Sequence, residues 1–130
     1  MTQLVGIFGY PLAHSISPVV QQAAFDYYKL PVRYDAWPTR PNSLEDEVSK
    51  LRQNGYLGAS VTIPHKEKIA TFIDRVDDWA ASIGAVNTIV KEGRDLVGYN
   101  TDTYGFIRSL KDLGGFDPTG KKVLVLGAGG

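Results

Sequence analysis

The sequence predicts an α/β domain, a mostly parallel sheet flanked by helices on both faces, followed by the truncated beginning of a second unit. Three observations predict it. Short β-branched and aromatic runs alternate with segments of helical spacing, and strands joined through helices need crossover connections that force parallel neighbours. Glycine and proline stand at most of the junctions between those segments. Near the carboxyl end, after a turn over 116–120, the apolar run VLVL leads into GAGG, where a new strand and turn start.

Residues 3–9, QLVGIFG, form an apolar run ended by Gly9 and Pro11, a buried strand feeding the loop YPLAHSIS. Ser17 as N-cap and Pro18 as first helical residue then open a helix over 18–29, its apolar stripe made by Val19, Ala23, Phe25 and Tyr27. Pro31 breaks it, and VRYDAWPT is a second strand closing near Pro38. Asn42 or Ser43 caps the helix LEDEVSKLRQN, in which Leu44, Val48 and Leu51 share a face and Gly55 lies just past the end.

The third strand is YLGASVTI, stopped by Pro64. HKEKIATFID follows as a helix presenting Ile69, Phe72 and Ile73, and VDDWAASIG as another that ends at Gly84. AVNTIVKE and DLVGYN flank Glu92, Gly93 and Arg94 as a tight hairpin, the only antiparallel pair the pattern requires. TDTYGFIRSLKDLGG resumes helical spacing through Tyr104, Ile107, Leu110 and Leu113. Trp37, Trp79, Tyr27 and Tyr28 are assigned to the core or its edge. The expected organisation is a ligand-binding domain over 1–100, a connecting helix and turn over 101–119, and the start of a further domain over 120–130. VLVL alone must pack on the first domain, pair with another chain or stay mobile. A homodimer is left open.

Composition narrows the function. Across 130 residues, fourteen Lys and Arg balance fourteen Asp and Glu, so no net field draws the chain to nucleic acid or an anionic membrane. An anionic small molecule must be caught by local groups. Without cysteine, disulfides, thiolate zinc sites and a thiol nucleophile are excluded, and His14 and His65 are the only imidazoles, so no metal site is expected. No apolar stretch approaches the roughly 20 residues that cross a bilayer, and the amino terminus lacks a basic leader, which points to a cytoplasmic protein.

Ligands of such sheets sit beyond the carboxyl ends of the strands, which selects the loops 9–17, 62–66 and 100–102. In HSISP, Ser15 and Ser17 stand at a helix amino end that favours a carboxylate; equally, Ser17 caps the helix and Ser15 faces water. In SVTIPHK, Thr62 ends a strand and Lys66 lies in the turn beyond, where a helix dipole would ease loss of its proton for acid or base work; the plainer alternative is a solvated lysine beside Lys68. In GYNTDTYG, Asp102 begins a helix and can accept from a ligand hydroxyl, or simply complement the dipole with Asn100 or Thr101 as cap. Asn87 is an amide among apolar neighbours and needs partners, from backbone or ligand. Gly127, Gly129 and Gly130 after VLVL are how a dinucleotide turn starts, an incomplete signal on its own.

Five motifs in order, GYPLAHSISP, VTIPHK, GAVNTIV, GYNTDTYGF and VLVLGAGG, resemble the shikimate dehydrogenase family. The resemblance implies an amino-terminal shikimate-binding domain followed by the truncated start of an NADP-binding Rossmann domain. It implies reversible, NADP-dependent reduction of 3-dehydroshikimate to shikimate in chorismate and aromatic amino-acid biosynthesis. By the same resemblance Ser15 and Ser17 hold the carboxylate, Thr62, Asn87 and Asp102 bond ring hydroxyls, Lys66 and Asp102 are catalytic, and Gly127, Gly129 and Gly130 approach the cofactor. A 130-residue chain with so little of the cofactor domain would bind the acid without turnover. Two departures bear on the pocket: Ser60 stands where the family usually has asparagine, and Gln21 and Gln22 where it often has histidine and asparagine. They keep a quinate-type dehydrogenase open, and a non-catalytic shikimate-binding module is a third alternative.

Overall fold

A helix that connects two strands of one sheet carries the chain back to the starting edge, so the strands it joins run parallel. This operates twice at the amino end. The structure is a computed structural model describing residues 2–127. Strand β1 (Gln3–Gly9), helix α1 (Ser17–Tyr27) and β2 (Val32–Pro38) form one such unit; helix α2 (Leu44–Lys50) leads to β3 (Tyr56–Val61) on the other side of β1. The chain continues through β4 (Arg75–Val76), α3 (Asp78–Ile83), β5 (Thr88–Glu92), β6 (Asp95–Tyr99) and α4 (Asp102–Asp112).

The sheet order is β2-β1-β3-β5-β6-β4, and only β5 runs against the rest. The hairpin was expected to be the only antiparallel pair. Because β5 lies between β3 and β6, one reversed strand makes two antiparallel ladders.

Period-2 alternation in the strands divides the core between two faces. Phe8, Ala59, Val61, Ile89 and Leu96 point to the face covered by Leu44, Val48 and Leu51 of the second helical segment, Ile69 and Ala80. Ile7 and Tyr34 point to the other face, where Leu12 and Phe25 of α1 cover them. The predicted α2 stripe is fully buried, each such side chain contributing about 1.5–3 kcal/mol. Asp77 accepts from the N–H groups of Trp79 and Ala80 to start α3, and Gly84, at φ 79°, ends it in the left-handed conformation glycine tolerates.

Other expectations fail locally. Helix α1 begins at Ser17 itself, so Ser17 is not its cap. The half-buried positions of α1 include Pro18, Gln22 and Phe25, at steps of four and three; Val19, Ala23 and Tyr27 face outward. Gln22 is drawn inward by polar work: its Oε1 accepts from Tyr34 N at 2.8 Å and its Nε2 donates to Val32 O at 3.1 Å. Those backbone groups lie on edge strand β2 and have no neighbouring strand.

HKEKIATFID supplies only a 3₁₀ turn, Lys68–Phe72, instead of an α-helix, so the dipole expected from Lys66's own segment is absent. VLVL is not a strand: among the described residues nothing offers it a ladder, and Val123–Leu126 are exposed. Trp79, Tyr27 and Tyr28 are exposed as well, the last two stacking edge to face on each other. Among the described residues, Asn100 is the last that is buried. No helix among the described residues is long and apolar enough to cross a membrane.

Candidate active site

The carboxyl ends of β1 and β3 and the start of α4 converge on a cavity of about 310 Å³. Ser17 and Gln21 reach it from α1, where they are one turn apart; Ser60 and, just past the strand end, Thr62 reach it from β3 by alternation. Asn87 enters beside β5, and Lys66 and Asp102 close it. Of the anticipated substrate residues the structure therefore brings together Ser17, Thr62, Lys66, Asn87 and Asp102. Ser15 is not among the lining residues; its Oγ accepts from Ser17 N–H at 3.4 Å, within the turn that delivers Ser17.

Lys66 Nζ donates to Asp102 Oδ2 at 2.6 Å. The lysine side chain is 18% exposed and the carboxylate 51%, so the ammonium is held in a crevice while the carboxylate keeps access to solvent. Both ends of the pair are fixed by neighbours. His65, 1% exposed, places a ring nitrogen 2.7 Å from Thr39 O; as that oxygen can only accept, the nitrogen carries a proton. This ties the turn holding Lys66 to the end of β2. Val86 N–H donates to Lys66 O at 2.7 Å.

On the other side, Asn100 Oδ1 accepts from the N–H groups of Asp102 and Thr103, and its Nδ2 donates to Ala85 O. Asn100 thus does the capping for α4. The Asn87 amide is engaged too: Oδ1 accepts from Thr101 N–H and Thr88 Oγ1, and Nδ2 donates to Thr101 Oγ1. It orders the cavity floor and retains one amide hydrogen for a ligand.

Lys66 and Asp102 also border a second cavity, of about 750 Å³, lined by Ile83, Gly84, Ala85, Phe106 and Val125. A hydroxyl- and amide-lined chamber and a larger, more apolar one share the same ion pair. Among the described residues no cluster of three or more metal-ligating side chains occurs. Gly127 is exposed at φ 112°, the left-handed region that favours glycine; Gly129 and Gly130 lie outside the described residues.

Ser60 and Gln21, noted in the sequence as departures that bear on the pocket, line the cavity, in keeping with alternation from Thr62 and helical spacing from Ser17. Burial pushes the Tyr34 phenol above its ordinary value, and its hydroxyl lies 2.9 Å from Ser60 Oγ.

Residues 7–89 match the family model described as the shikimate dehydrogenase substrate binding domain. The chain belongs to this family. A shikimate dehydrogenase (NADP(+)) from Geobacter metallireducens is 50% identical over 129 residues, 99% of this chain and 45% of the relative. The chain thus spans less than half the length of that relative. A crystal structure of shikimate 5-dehydrogenase from Thermus thermophilus with NADP(H) and shikimate superimposes with a TM-score of 0.82 at 34% identity, covering 87% of this chain and 43% of the other. A ligand-free 5-ketofructose reductase from Gluconobacter matches 100% of this chain and 46% of its own, with a TM-score of 0.88 at 32% identity. Family membership agrees with the five ordered motifs, and these relatives share the α/β fold read from the sequence.

Proposed function

We propose that this chain supplies the substrate half of an NADP-dependent shikimate dehydrogenase, with residues 1–100 as the acid-binding domain, 101–119 as connector and 120–130 as the entry to the cofactor domain. The observation that carries the reading is the Lys66–Asp102 pair standing between two cavities, one polar and one more apolar. A polyhydroxylated ring acid belongs in the polar chamber, its hydroxyls meeting Thr62, Asn87 and Asp102 and its carboxylate the Ser15–Ser17 turn. A nicotinamide in the second chamber would face the same pair, and when bound it contributes hydride transfer. Gly127, with Gly129 and Gly130, would admit its pyrophosphate.

In the reducing direction Lys66 delivers a proton to the oxygen of the substrate ketone as that carbon gains hydride; in the oxidising direction it takes the hydroxyl proton back. Asp102 holds the ammonium on the reacting oxygen and accepts from a neighbouring ring hydroxyl. Such positioned proton transfer contributes about 10²- to 10⁴-fold. A reaction on soluble metabolites with a soluble cofactor fits a cytoplasmic protein.

Ser60 favours a second reading, a dehydrogenase for a bulkier polyhydroxylated acid such as quinate, because a serine leaves more room than an amide on that wall. The test is NADP⁺-dependent oxidation of shikimate and quinate by the full-length protein, followed by reduced-nicotinamide absorbance. Faster turnover of shikimate supports the first reading and faster turnover of quinate the second; turnover of neither rejects both.

A further inference from the structure

The larger cavity, of about 750 Å³, occupies the gap between two helices. Ile83 and Gly84 border it from the end of α3, and Asp102, Thr103 and Phe106 from the first half of α4. Among the described residues one side-chain hydrogen bond crosses from α3 to α4: Trp79 Nε1 donates to Thr103 Oγ1 at 2.9 Å. An indole N–H can only donate, so the sense of the bond is fixed. Although the Trp79 side chain lies largely open to solvent, 58% exposed, its N–H is directed at α4.

The two helices differ in how firmly they are held. Asp77 N–H donates to Gly98 O on β6 at 2.9 Å, the Asp77 carboxylate caps α3, and Ala80 within α3 is fully buried. No residue of α4 is buried, so no packed face sets its axis. Asn100 fixes where α4 begins, through the N–H groups of Asp102 and Thr103, but a contact at the start leaves the direction of the helix free. The ion pair is a weak guide by itself, because the Asp102 carboxylate is 51% exposed and solvent competes for it. Trp79 supplies the missing lateral contact from an anchored helix, one residue away from Asp102. A catalytic group misplaced by about an ångström loses much of its effect, so a tilt of α4 reaches the chemistry.

We propose that Trp79 is a positioning residue: by tying Thr103 to α3 it sets the direction of the first turn of α4, and so keeps the Asp102 carboxylate on Lys66 and within reach of the acid. The inference rests on the ring-acid reading above. It adds to that reading a residue that lines neither cavity.

The experiment uses full-length protein and measures the dissociation constants of shikimate and quinate by calorimetry without cofactor, kcat and KM with NADP⁺, and the urea midpoint. The variants are Trp79→Phe, Thr103→Val, Thr103→Ser, the Trp79→Phe/Thr103→Val double variant, and Asp102→Ala with and without Trp79→Phe. Trp79→Phe and Thr103→Val are each expected to weaken binding of the preferred acid and lower kcat/KM about threefold to tenfold, the range of one hydrogen bond. The double variant is no worse than either single one, since both remove the same bond, and Thr103→Ser, which keeps the accepting oxygen, retains most of the affinity. With Asp102→Ala already present, Trp79→Phe changes neither binding nor kcat further, because no carboxylate is left to place. A merely structural tryptophan would lower the urea midpoint and add the same loss in the Asp102→Ala background, which overturns the inference. Wild-type binding and kcat/KM in folded Trp79→Phe and Thr103→Val overturn it equally, and either result leaves the ring-acid reading intact. Failure of wild type to bind either acid overturns both.

Discussion

Lys66 and Asp102 are separated by 36 positions in the sequence, yet their charged atoms stand 2.6 Å apart at the junction of two cavities. If the lysine moves the proton, Lys66→Ala in full-length protein lowers kcat by about 10²- to 10⁴-fold while the acid still binds. Asp102→Asn keeps the shape but removes the charge that orients the ammonium, and it is expected to lower kcat and weaken binding together. Steady-state kinetics beside direct titration of shikimate separates the two outcomes. A Lys66→Ala protein with unaltered kcat would remove the lysine from the chemistry.

The parts of this arrangement that were legible in the sequence are those governed by a short period. Leu44, Val48 and Leu51 disclosed their buried face, and Thr62 its place at the carboxyl end of a strand, because alternation and helical spacing translate directly into direction. The α1 stripe was misread because apolar residues were followed where an amide, Gln22, had the stronger claim on the inner face through the free backbone groups of β2. Strand β4 has two residues, too few to show any period. VLVL carries strand-forming side chains, but a strand also needs a neighbour, and that is a property of what surrounds it. The Tyr34–Ser60 contact depends on strand order, which single-sequence periodicity does not contain.

Asn100 accepts from two N–H groups at the start of α4 and donates to Ala85 O while 9% exposed. Asn100→Ala leaves three buried or half-buried polar groups to find water, and the expected loss is about 1–2 kcal/mol of stability. Because Asp102 is one of the residues so held, KM for the acid should rise as well. Urea unfolding gives the first quantity and kinetics the second; unchanged stability would contradict the capping role.

Gly6 lies where β1 passes beneath Trp37, and a Cβ placed there would fall 2.5 Å from the indole and 2.6 Å from Asp35 O. The indole is confined by Phe8 and Tyr56, with ring centroids at 5.2 and 5.8 Å, so it has little room to retreat. Gly6→Ala is expected to cost about 1–3 kcal/mol by overpacking, visible as a lower urea midpoint at unchanged slope. A neutral substitution would mean that the aromatic cluster is looser than its contacts indicate.

Asp74 joins the end of the helical 68–72 turn to β6. Arg52 donates to its two oxygens at 2.7 and 3.2 Å, and Leu96 N–H to one of them at 2.8 Å. The guanidinium first and the backbone N–H second hold this carboxyl below its ordinary value of 3.8. A group depressed in the folded state contributes stability that is fully present above its unfolded value and disappears as pH falls through the folded one. Asp74→Asn should therefore lower the melting temperature by a few degrees at neutral pH. The gap to wild type should close on acidification below the ordinary carboxylate range. Added salt should narrow the neutral-pH gap as well, because the pair is partly exposed to solvent, whereas the Leu96 N–H still finds an acceptor in the asparagine carbonyl. Melting curves across pH in wild type and variant test this, and a gap that widened towards acid would show that Asp74 is held up instead of down.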